Sequence, residues 1–525
     1  MRLFTVILIS LLVAAGVLPA AAQVDDPDAG ASPSASPSAS PSQSPQPDPV
    51  PAVYPVFNYP TPGNPDPSIN NELTRLLNEV PAGAQVSAAL YVVAPNYHVV
   101  DALIAAQQRG AGVRVVLAGG DPGSPSVETY AKLAPVLGTD PSAASFVVQC
   151  ATACISKLPD SINHNKFVAM SQTGTMSDVV FQSTANVRSD GSGDAAWNAA
   201  TVNSGGPGLY QSYLTYFGNL AAQTTVADNN YYAVQPPQAT ATWTPYYYPQ
   251  TDGFDSVSQT LMRVDCRLAP TRIDVMAAFF TRPKVRNRLN EMAAAGCTVR
   301  VIARTDSITR EFCDSLQAPI AVKISDKPAA DKVGIHGKYL TISGGFDGTA
   351  RELVWMGSEN LTRNALVQND ETFLLIDQPQ LLGSFTENFQ RIWDTASLTA
   401  GCGRAGGVSE EEIEQEADEE ITPLIKEQQQ VKRKLPKRLK KRTELKSTRT
   451  VQGQRLTTVV KCRVKGTPQK LKKRKICALK KPKSNPTVVL TPKRKKRLSV
   501  RIVQTAPGSA TLQKFSRKAT YTYRR

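Results

Sequence analysis

Apolar and polar positions follow one succession of elements twice along the middle of the chain. The first copy contains a helix, a strand, a helix and a strand, predicted over 69–80, 86–93, 99–109 and 113–117. The second copy contains the same elements in the same order, predicted over 257–264, 273–280, 284–295 and 299–302. Gly110 and Gly296 directly follow the second helix of each copy, where a left-handed C-cap is expected. The pattern therefore predicts an internal duplication.

Each copy closes with an aromatic-rich helix, predicted over 209–220 and 381–393. Strands that alternate with helices are typical of the α/β class, with a largely parallel sheet covered by helices. We therefore expect two similar α/β lobes over 55–225 and 244–401, which are joined by a linker over 226–243 and face each other.

The N-terminal region differs from the rest of the chain in composition. A basic residue precedes a short apolar run, and a stretch of alanines follows that run. This order is typical of a secretory signal peptide over 1–22, cut before Gln23, and the apolar run is short for a membrane anchor. Residues 23–54 are rich in Pro, Ser and Ala and predict a disordered linker. We expect a secreted, extracellular protein.

The chain changes character again beyond Cys402. An acidic run followed by lysines and arginines predicts a charged helix or linker over 402–450. Residues 451–525 contain short alternating segments, such as 460–464 and 500–502, that predict strands. We expect a small, basic, β-rich domain there, arranged as a β-sandwich.

The net charge of +16 is unevenly distributed. Residues 421–525 hold 34 Lys or Arg and two acidic residues, whereas the rest of the chain has a net charge of −16. Such an asymmetry indicates that the basic tail binds an anionic partner, for which membrane lipid headgroups, wall polymers and nucleic acid are all open. The alternative is a solvated surface whose lysines keep strand edges from pairing.

Eight cysteines are compatible with disulfides in an exported protein. Cys150 and Cys154 are spaced for a small local loop, and Cys462 and Cys477 for a bridge in the basic domain. The other four allow three pairings, which the sequence leaves open: Cys266, Cys297, Cys313 and Cys402. Zinc is the competing interpretation, but neither paired Cys-x-x-Cys spacing nor a histidine cluster supports it.

Two of the three histidines open the same short motif. His164 and Lys166 form a His-x-Lys in the first lobe, and His336 and Lys338 form one in the second. Because side chains two apart on a strand project from one face, each pair is expected to point into one pocket. One His-x-Lys is best explained as a surface coincidence, but two at matching places in duplicated lobes favour a shared active site.

A second polar motif follows an apolar strand in each lobe. It is Ser-Thr-Ala-Asn over 183–186 in the first lobe and Gly-Ser-Glu-Asn over 357–360 in the second. Hydroxyl and amide groups at a strand end are suitable donors to a phosphoryl oxygen. The candidate phosphate-binding or supporting residues are therefore Thr184, Asn186, Ser358 and Asn360.

Together these motifs resemble those of the phospholipase D superfamily, in which His-x-Lys-x4-Asp and a Gly-Ser-x-Asn-like element occur twice. The resemblance covers roughly 55–398 and looks like the branch of exported bacterial phospholipase D-like proteins. It implies an active site at the interface of two lobes and a double displacement through a phosphohistidine, without a metal or another cofactor. The sequence departs from the pattern at Ser171 and Ser343, where an Asp is expected five residues after each lysine. That Asp is usually supportive, so the resemblance implies that activity survives its loss.

The resemblance also implies a role for each residue of the first motif. By family order His164 is the nucleophile, and His336 is the general acid and then the base that activates water, although the reverse order stays open. Lys166 and Lys338 are expected to hold phosphoryl oxygens. The chemistry itself needs one neutral imidazole to attack phosphorus and a second imidazole to protonate the leaving oxygen.

An acid, the third histidine and a run of tyrosines are further candidates, and each has a simpler explanation as a surface or packing residue. Glu371 lies where such proteins often place an acid that orients a histidine, with a counterpart near Asn198, and the alternative is a surface acid. His98 is predicted at a helix start on the surface and has no assigned role. The tyrosines of 246–248 are candidates for lipid contact, but the duplication favours packing in the protein.

Three functions are compatible with this sequence. The first is a secreted phosphodiesterase that hydrolyses a phospholipid headgroup ester, and the second is a metal-independent endonuclease of the same superfamily. The third is a non-catalytic surface-binding protein with a degenerate site. The paired His and Lys in both lobes argue against the third function. We expect a monomer that acts on a phospholipid or another phosphodiester.

Overall fold

The computed structural model describes residues 53–120, 123–268, 270–329, 331–395 and 397–406, followed by shorter segments. These segments are 409–410, 431, 435–445, 449–451, 455–464, 477–480, 486–490, 497–506 and 515–524. The predicted signal peptide over 1–22, nearly all of the linker over 23–54 and most of the charged segment over 402–450 lie outside the described residues. Among the helices within these segments, none combines the length and apolar character that a membrane span requires.

In the first lobe, helices cover both faces of one sheet. Its strands are β1 (Val53–Phe57), β2 (Gln85–Leu90), β3 (Gly112–Leu117), β4 (Phe146–Gln149), β5 (Lys166–Thr173), β6 (Met176–Ser183) and β7 (Ala199–Asn203). Its helices are α1 (Ser68–Asn78), α2 (His98–Gln108), α3 (Pro125–Leu137) and α4 (Pro207–Ala221). A 3₁₀ turn, Ala227–Asn229, and the short helix α5 (Tyr231–Val234) lead to the second lobe.

The second lobe repeats this arrangement. Its strands are β8 (Trp243–Tyr247), β9 (Arg272–Ala277), β10 (Thr298–Arg304), β11 (Ala321–Ser325), β12 (Lys338–Phe346), β13 (Thr349–Gly357), β14 (Thr372–Asp377) and β15 (Thr399–Ala400). Its helices are α6 (Ser256–Leu261), α7 (Pro283–Ala294), α8 (Arg310–Asp314), α9 (Arg363–Val367) and α10 (Pro379–Trp393), with a 3₁₀ turn at Cys402–Arg404. The duplicated α/β architecture expected from the sequence is thus confirmed.

Both sheets are mixed, whereas the sequence pattern predicted largely parallel ones. The strand order is β1-β7-β6-β5-β2-β3-β4 in the first lobe and β15-β11-β10-β9-β12-β13-β14-β8 in the second. Among the described strands, parallel pairing joins β2 to β3, β3 to β4, β9 to β10 and β10 to β11. The other pairs of these two sheets are antiparallel. The prediction was wrong because β5–β6 and β12–β13 are hairpins, which helix-linked strands do not form.

The ends of two long helices follow the predicted caps. Gly110 and Gly296 lie just beyond α2 and α7 and have φ angles of 96° and 98°, in the left-handed region that favours glycine. Each glycine lets the chain turn directly into the next strand, β3 or β10. The duplicated helix–glycine–strand unit is therefore a structural repeat as well as a sequence repeat.

The two aromatic-rich helices connect the lobes. Helix α4 of the first lobe packs against β8 of the second, and α10 of the second lobe packs against β1 of the first. Buried aromatic residues of both lobes, such as Tyr213 and Phe385, belong to one hydrophobic cluster. Two further clusters fill the outer sides of the two sheets, under α1–α3 and under α6–α8. The lobe interface is therefore continuous with the protein core.

Three disulfides lie in the two lobes. Cys150 is bonded to Cys154, as the local spacing predicted. The pairing that the sequence left open is Cys266–Cys297 and Cys313–Cys402. In the basic domain Cys462 is disulfide-bonded, and the side chain of its predicted partner Cys477 lies outside the described residues.

The basic C-terminal region forms two three-stranded antiparallel sheets. One has the order β16 (Arg442–Glu444), β19 (Thr487–Leu490), β18 (Cys477–Lys480), and the other β17 (Thr457–Val464), β20 (Arg497–Ala506), β21 (Phe515–Arg524). Val488 of the first sheet and Val500 of the second belong to one buried apolar cluster. The region is therefore β-rich and packs two sheets around a common core, as the alternating pattern predicted.

Candidate active site

Both His-x-Lys motifs lie where a central strand begins. Strand β5 starts at Lys166 and β12 starts at Lys338, so each histidine precedes the strand by two residues. The ammonium of each lysine donates to the main-chain oxygen of its own histidine residue, at 2.9 Å in both lobes. All four side chains are buried, with at most 2% of any residue exposed. Each lysine is thus held beside its histidine in an equivalent way.

The backbone before each histidine pairs with the opposite lobe. The N–H of His164 donates to the carbonyl oxygen of Asp370 at 2.9 Å, and the N–H of His336 donates to that of Trp197 at 3.0 Å. Parallel bridges at the preceding residues accompany both hydrogen bonds. The backbone segment that carries each histidine therefore pairs with the other lobe, and both motifs lie at the lobe interface.

The next residue after each of these carbonyl groups contacts the histidine itself. Both carboxylate oxygens of Glu371 lie 2.8 Å from Nδ1 of His164, across the lobe interface. Oδ1 of Asn198 lies 2.8 Å from Nδ1 of His336, again across the interface. An amide or carboxylate oxygen accepts a hydrogen bond from Nδ1–H, which keeps the proton on Nδ1 and leaves Nε2 as the reactive nitrogen. The predicted acid and its predicted counterpart are both brought to a histidine, and each belongs to the other lobe.

The hydroxyl groups of the second motif support these orienting residues. The Thr184 hydroxyl donates to Oδ1 of Asn198 at 2.8 Å, and the Ser358 hydroxyl donates to Oε2 of Glu371 at 2.5 Å. Each hydroxyl oxygen also accepts the N–H of the residue that follows the orienting residue, at 3.0 Å in both lobes. We predicted these hydroxyls as donors to phosphoryl oxygens or as support, and their geometry favours support.

The amides of the second motif and the two lysines remain the candidate phosphate ligands. Asn186 and Asn360 follow Thr184 and Ser358 by two residues and are 1% and 2% exposed. Neutral amides and cationic ammonium groups are the types that suit an anionic phosphoryl group. Their phosphate-binding role stays a prediction.

Asp370 is a residue of the site that the sequence did not single out. Its carboxylate accepts the main-chain N–H groups of three consecutive residues in the first lobe: Cys154, Ile155 at 3.1 Å and Ser156 at 3.1 Å. Burial raises the pKa of Asp370 to about 7, against the opposing effect of these hydrogen bonds. Because Asp370 directly precedes Glu371, this anchor fixes the backbone from which Glu371 reaches His164. The Asn-Asp-Glu-Thr run at 369–372 was the available sequence signal.

A buried arginine supports the second motif in the second lobe. The Arg282 guanidinium donates to Asp255 at 3.2 Å, to the main-chain oxygen of Asn360 at 3.1 Å, and to Glu359. Burial raises the pKa of Glu359 to about 7, and the positive charge of Arg282 opposes this rise. The cluster fixes the loop that carries Asn360. Sequence reasoning missed it because the three charged residues are far apart in the chain.

Tyr91 is a further neighbour that the sequence did not indicate. Its ring centroid lies 4.9 Å from that of His164 and 5.0 Å from Nζ of Lys166. An aromatic face attracts an ammonium group and shields it from water. Tyr91 therefore packs against the first His-x-Lys motif from the end of β2.

The remaining sequence candidates lie outside this constellation. Ser171, in place of the expected Asp, accepts the N–H of Gln85 at 2.9 Å along the β5–β2 pair, and Ser343 lies on β12 opposite Arg272. His98 starts α2 and is half-buried beside Tyr97. The tyrosines of 246–248 are at most 5% exposed, so the expectation that they pack in the protein is confirmed.

Comparison with protein families points to the second-lobe half of the site. Residues 266–393 match the family model described as "Cardiolipin synthase, PLD-like domain". A mitochondrial cardiolipin hydrolase from Chlamydomonas reinhardtii is 30% identical over 129 residues, which are 24% of this chain and 53% of that protein. The chain thus spans about half the length of this curated relative. The residues that match the family model include His336, Lys338, Ser358, Asn360 and Glu371.

Two solved structures show partial likeness. A phosphatidylserine synthase from Haemophilus influenzae Rd KW20 has a TM-score of 0.47 at 10% identity, and the match covers 67% of this chain and 92% of that chain. A phospholipase D family member, Nuc from Salmonella typhimurium, has a TM-score of 0.24 at 21% identity, and the match covers 30% of this chain and 97% of that chain.

Proposed function

Because the chain belongs to the phospholipase D superfamily, we propose that it is a secreted phosphodiesterase that hydrolyses the headgroup ester of a phospholipid through a phosphohistidine. The observation that carries this proposal is the reciprocal arrangement of His164 and His336. Each imidazole is buried at the lobe interface and is held at Nδ1 by a side chain of the other lobe. Two imidazoles held in this way suit a covalent catalyst and an acid–base catalyst.

The partners of the two histidines favour one division of roles. Glu371 offers His164 a carboxylate, which stabilises the positive charge that the ring acquires when Nε2 bonds to phosphorus. Asn198 offers His336 a neutral amide oxygen, which orients the ring without holding its proton as a carboxylate would. His164 is therefore the nucleophile and His336 the proton-transfer group, in agreement with the order implied by the resemblance.

In the first step Nε2 of His164 attacks the phosphorus atom and the bond from phosphorus to the headgroup oxygen breaks. Protonated His336 gives its proton to that oxygen, so the headgroup leaves as a neutral alcohol. Nζ of Lys338 lies 3.0 Å from Nε2 of His336, close to the point of proton transfer. Lys166 and Lys338 supply positive charge that balances the phosphoryl oxygens in the transition state.

In the second step His336, now neutral, takes a proton from water, and the resulting hydroxide oxygen attacks phosphorus. The bond between phosphorus and His164 breaks, which releases phosphatidate and restores the neutral imidazole. An alcohol in place of water would give transfer of the phosphatidyl group by the same step. The sequence of bonds needs no oxidant, reductant or further reactant.

Three observations support a lipid substrate and an exported protein. The matched family model and the algal relative both carry cardiolipin, a phospholipid, in their descriptions. The N-terminal sequence is typical of a signal peptide. The three disulfides of the lobes are consistent with an oxidising compartment, where such bonds persist.

A comparison of two substrates tests the proposal. The purified chain, with a chelator present, is incubated with phosphatidylcholine vesicles and, separately, with supercoiled plasmid DNA. We expect release of choline and formation of phosphatidate. Nicked plasmid without choline release would instead make the chain a nuclease, and the absence of both reactions would leave a binding protein with a degenerate site.

Histidine replacements test the mechanism. We expect His164→Ala or His336→Ala to lower turnover by about a thousandfold or more, the usual scale for losing a covalent or acid–base catalyst. His98→Ala is the matched control, because this histidine lies on α2 away from the site, and it should keep full turnover. Retained activity in both site variants would remove the mechanism.

A further inference from the structure

The sheet formed by β17, β20 and β21 has two faces of opposite character. Along β20 the residues Leu498, Val500 and Ile502 are buried in the core that this sheet shares with its neighbour. The residues between them lie on the outer face, as the pleat of a strand requires. The same alternation continues on β21, where Lys518, Thr520, Thr522 and Arg524 are exposed.

The strand register brings cations together on this outer face. Lys461 of β17 lies opposite Arg501 of β20, and Arg497 of β20 lies opposite Arg524 of β21. Lys518 of β21 lies opposite Val503, which follows Arg501 by two residues on β20 and so lies on the same face. Threonine, serine and valine occupy the other positions of the face whose side chains are described, and these side chains include neither an acidic nor an aromatic one.

Such a face is unfavourable within the isolated domain. Like charges directly opposite each other destabilise a sheet, and the register imposes two such pairs here. The outer face of the neighbouring sheet differs, because Glu444 and Lys480 lie in one row across Thr487 and Arg442 is nearby. One sheet thus pairs part of its positive charge with an acidic side chain, whereas the described face of the other presents positive charge alone to the surroundings.

We propose that the outer face of β17–β20–β21 docks on a membrane that contains anionic phospholipid. A layer of headgroup phosphates is a planar array of negative charge, and this sheet face is a broad array of short hydroxyls with interspersed cations. Single-stranded nucleic acid is bound through aromatic side chains on which bases stack, and the described residues of this face include none. Charge and shape therefore favour the lipid surface over single-stranded nucleic acid, and the test below includes duplex DNA as a competing outcome.

Docking on the membrane is independent of the proposed chemistry, since it depends on this sheet alone. Docking would hold the lobes at a lipid interface, and it would do so whether or not the site is active. Binding can therefore be measured with the full-length His164→Ala chain, in which turnover is removed. A failure of docking and a failure of catalysis then give separate results.

The experiment measures co-sedimentation of that chain with vesicles of phosphatidylcholine and phosphatidylglycerol, and with vesicles of phosphatidylcholine alone. The test variant adds Lys461→Gln and Arg501→Gln, and the matched control adds Arg442→Gln and Lys480→Gln on the other sheet. Each cation near an anionic surface contributes about fivefold in affinity, so we expect the test variant to bind the mixed vesicles ~25-fold more weakly. The control should bind as the parent does, and added salt should weaken all binding.

Further measurements keep the outcome unambiguous. The charge-preserving variant Lys461→Arg with Arg501→Lys should bind as the parent does, and circular dichroism should be the same for every variant. Equal weakening by the two glutamine pairs would overturn the proposal, since it would show a response to net charge alone. So would equal binding to both vesicle types, or tighter binding to a double-stranded DNA oligonucleotide than to the mixed vesicles.

Discussion

At the residue scale, one pair of side chains gives two equivalent histidines different surroundings. Thr184 and Ser358 hold Asn198 and Glu371 in the same way, and each of these two partners lies 2.8 Å from Nδ1 of a histidine. The two partners differ in charge, because Asn198 is a neutral amide and Glu371 can carry a full negative charge. They therefore give the two imidazoles different electrostatic surroundings.

This asymmetry predicts the effect of removing the carboxylate. Glu371→Gln keeps the size of the side chain but removes the charge that stabilises a phosphorylated His164. We expect kcat to fall by about a hundredfold with little change in KM, since the lost interaction is made after substrate binding. Steady-state kinetics and trapping of the phosphoenzyme by an alkaline detergent quench, in which a phosphohistidine is stable, would measure this effect.

Glu352→Gln is the matched control, because Glu352 is an exposed residue of β13 in the same lobe. It should leave both kinetic constants unchanged. Equal losses of kcat in the two variants, or a Glu371→Gln variant that only raises KM, would contradict the assigned role.

Asp370 predicts a dependence of stability on pH. Burial raises its pKa from 3.8 to about 7, so between these values the folded state binds a proton that the unfolded state has released. The free energy of unfolding should therefore decrease as the pH rises from about 5 to 7, by on the order of 2 kcal/mol from this group, and level off above 7. Asp370→Asn should flatten this slope, as urea unfolding at several pH values would measure. An identical slope in the variant would refute the assignment to Asp370.

The sequence predicted the members of the site better than their contacts. Duplication and the two motifs pointed to the histidines and the lysines, because equivalent positions in two copies are visible in a sequence. The family resemblance pointed to Glu371, with a counterpart near Asn198. That Thr184 and Ser358 contact the orienting residues depends on side-chain direction, which spacing does not give. Asp370 could not be assigned, since its three partners belong to a loop more than 200 residues away.

At the scale of elements, the hairpins β5–β6 and β12–β13 carry the two His-x-Lys motifs at their starts, and they also make the prediction of largely parallel sheets wrong. Alternation of helices with strands correctly gave β2–β3 and β9–β10 as parallel pairs. Asp347-Gly348 between two apolar segments is a strong hairpin signal, and both residues have positive φ. The helix-linked pattern alone does not contain this signal, and so it predicts parallel pairs where the sheets have antiparallel halves. The element bounds themselves were predicted to within a few residues.

Removal of two of the disulfides should affect stability and activity differently. Cys266–Cys297 closes a loop with a sequence separation of 31, so its removal should lower the free energy of unfolding by about 3 kcal/mol, with little effect on turnover. Cys150–Cys154 spans a separation of only 4, and its loop leads into the N–H groups that hold Asp370. Replacing this pair by serines should therefore cost less stability but lower turnover about tenfold. Urea unfolding and kinetics of both serine variants would compare them, and equal fractional losses of activity would contradict this role of the Cys150–Cys154 loop.

At the scale of the whole molecule, the lobes form one site because they exchange partners. The histidine of each lobe is oriented by the other lobe, and α4 and α10 extend the protein core across the interface. A complete site thus needs both lobes, and a single chain supplies both. We therefore expect a monomer to be sufficient for the proposed reaction.

A mixing experiment tests whether the site is assembled within one chain. We expect an equimolar mixture of the His164→Ala and His336→Ala variants to have no more activity than either variant alone, since neither chain contains both histidines. The measurement is turnover before and after co-refolding of the two variants from urea. Recovery of about a quarter of the parental activity would instead show that lobes of different chains combine.

The exchange of partners between the lobes has a consequence for the history of the chain. After a tandem copying event, two halves that only touched could have drifted apart or shed one copy. Here a change at Glu371 alters the histidine of the opposite half, and a change at Asn198 does the same in return. Each half therefore supplies a residue on which the chemistry of the other half depends. Selection then acts on the two halves together, even at positions where their sequences have diverged.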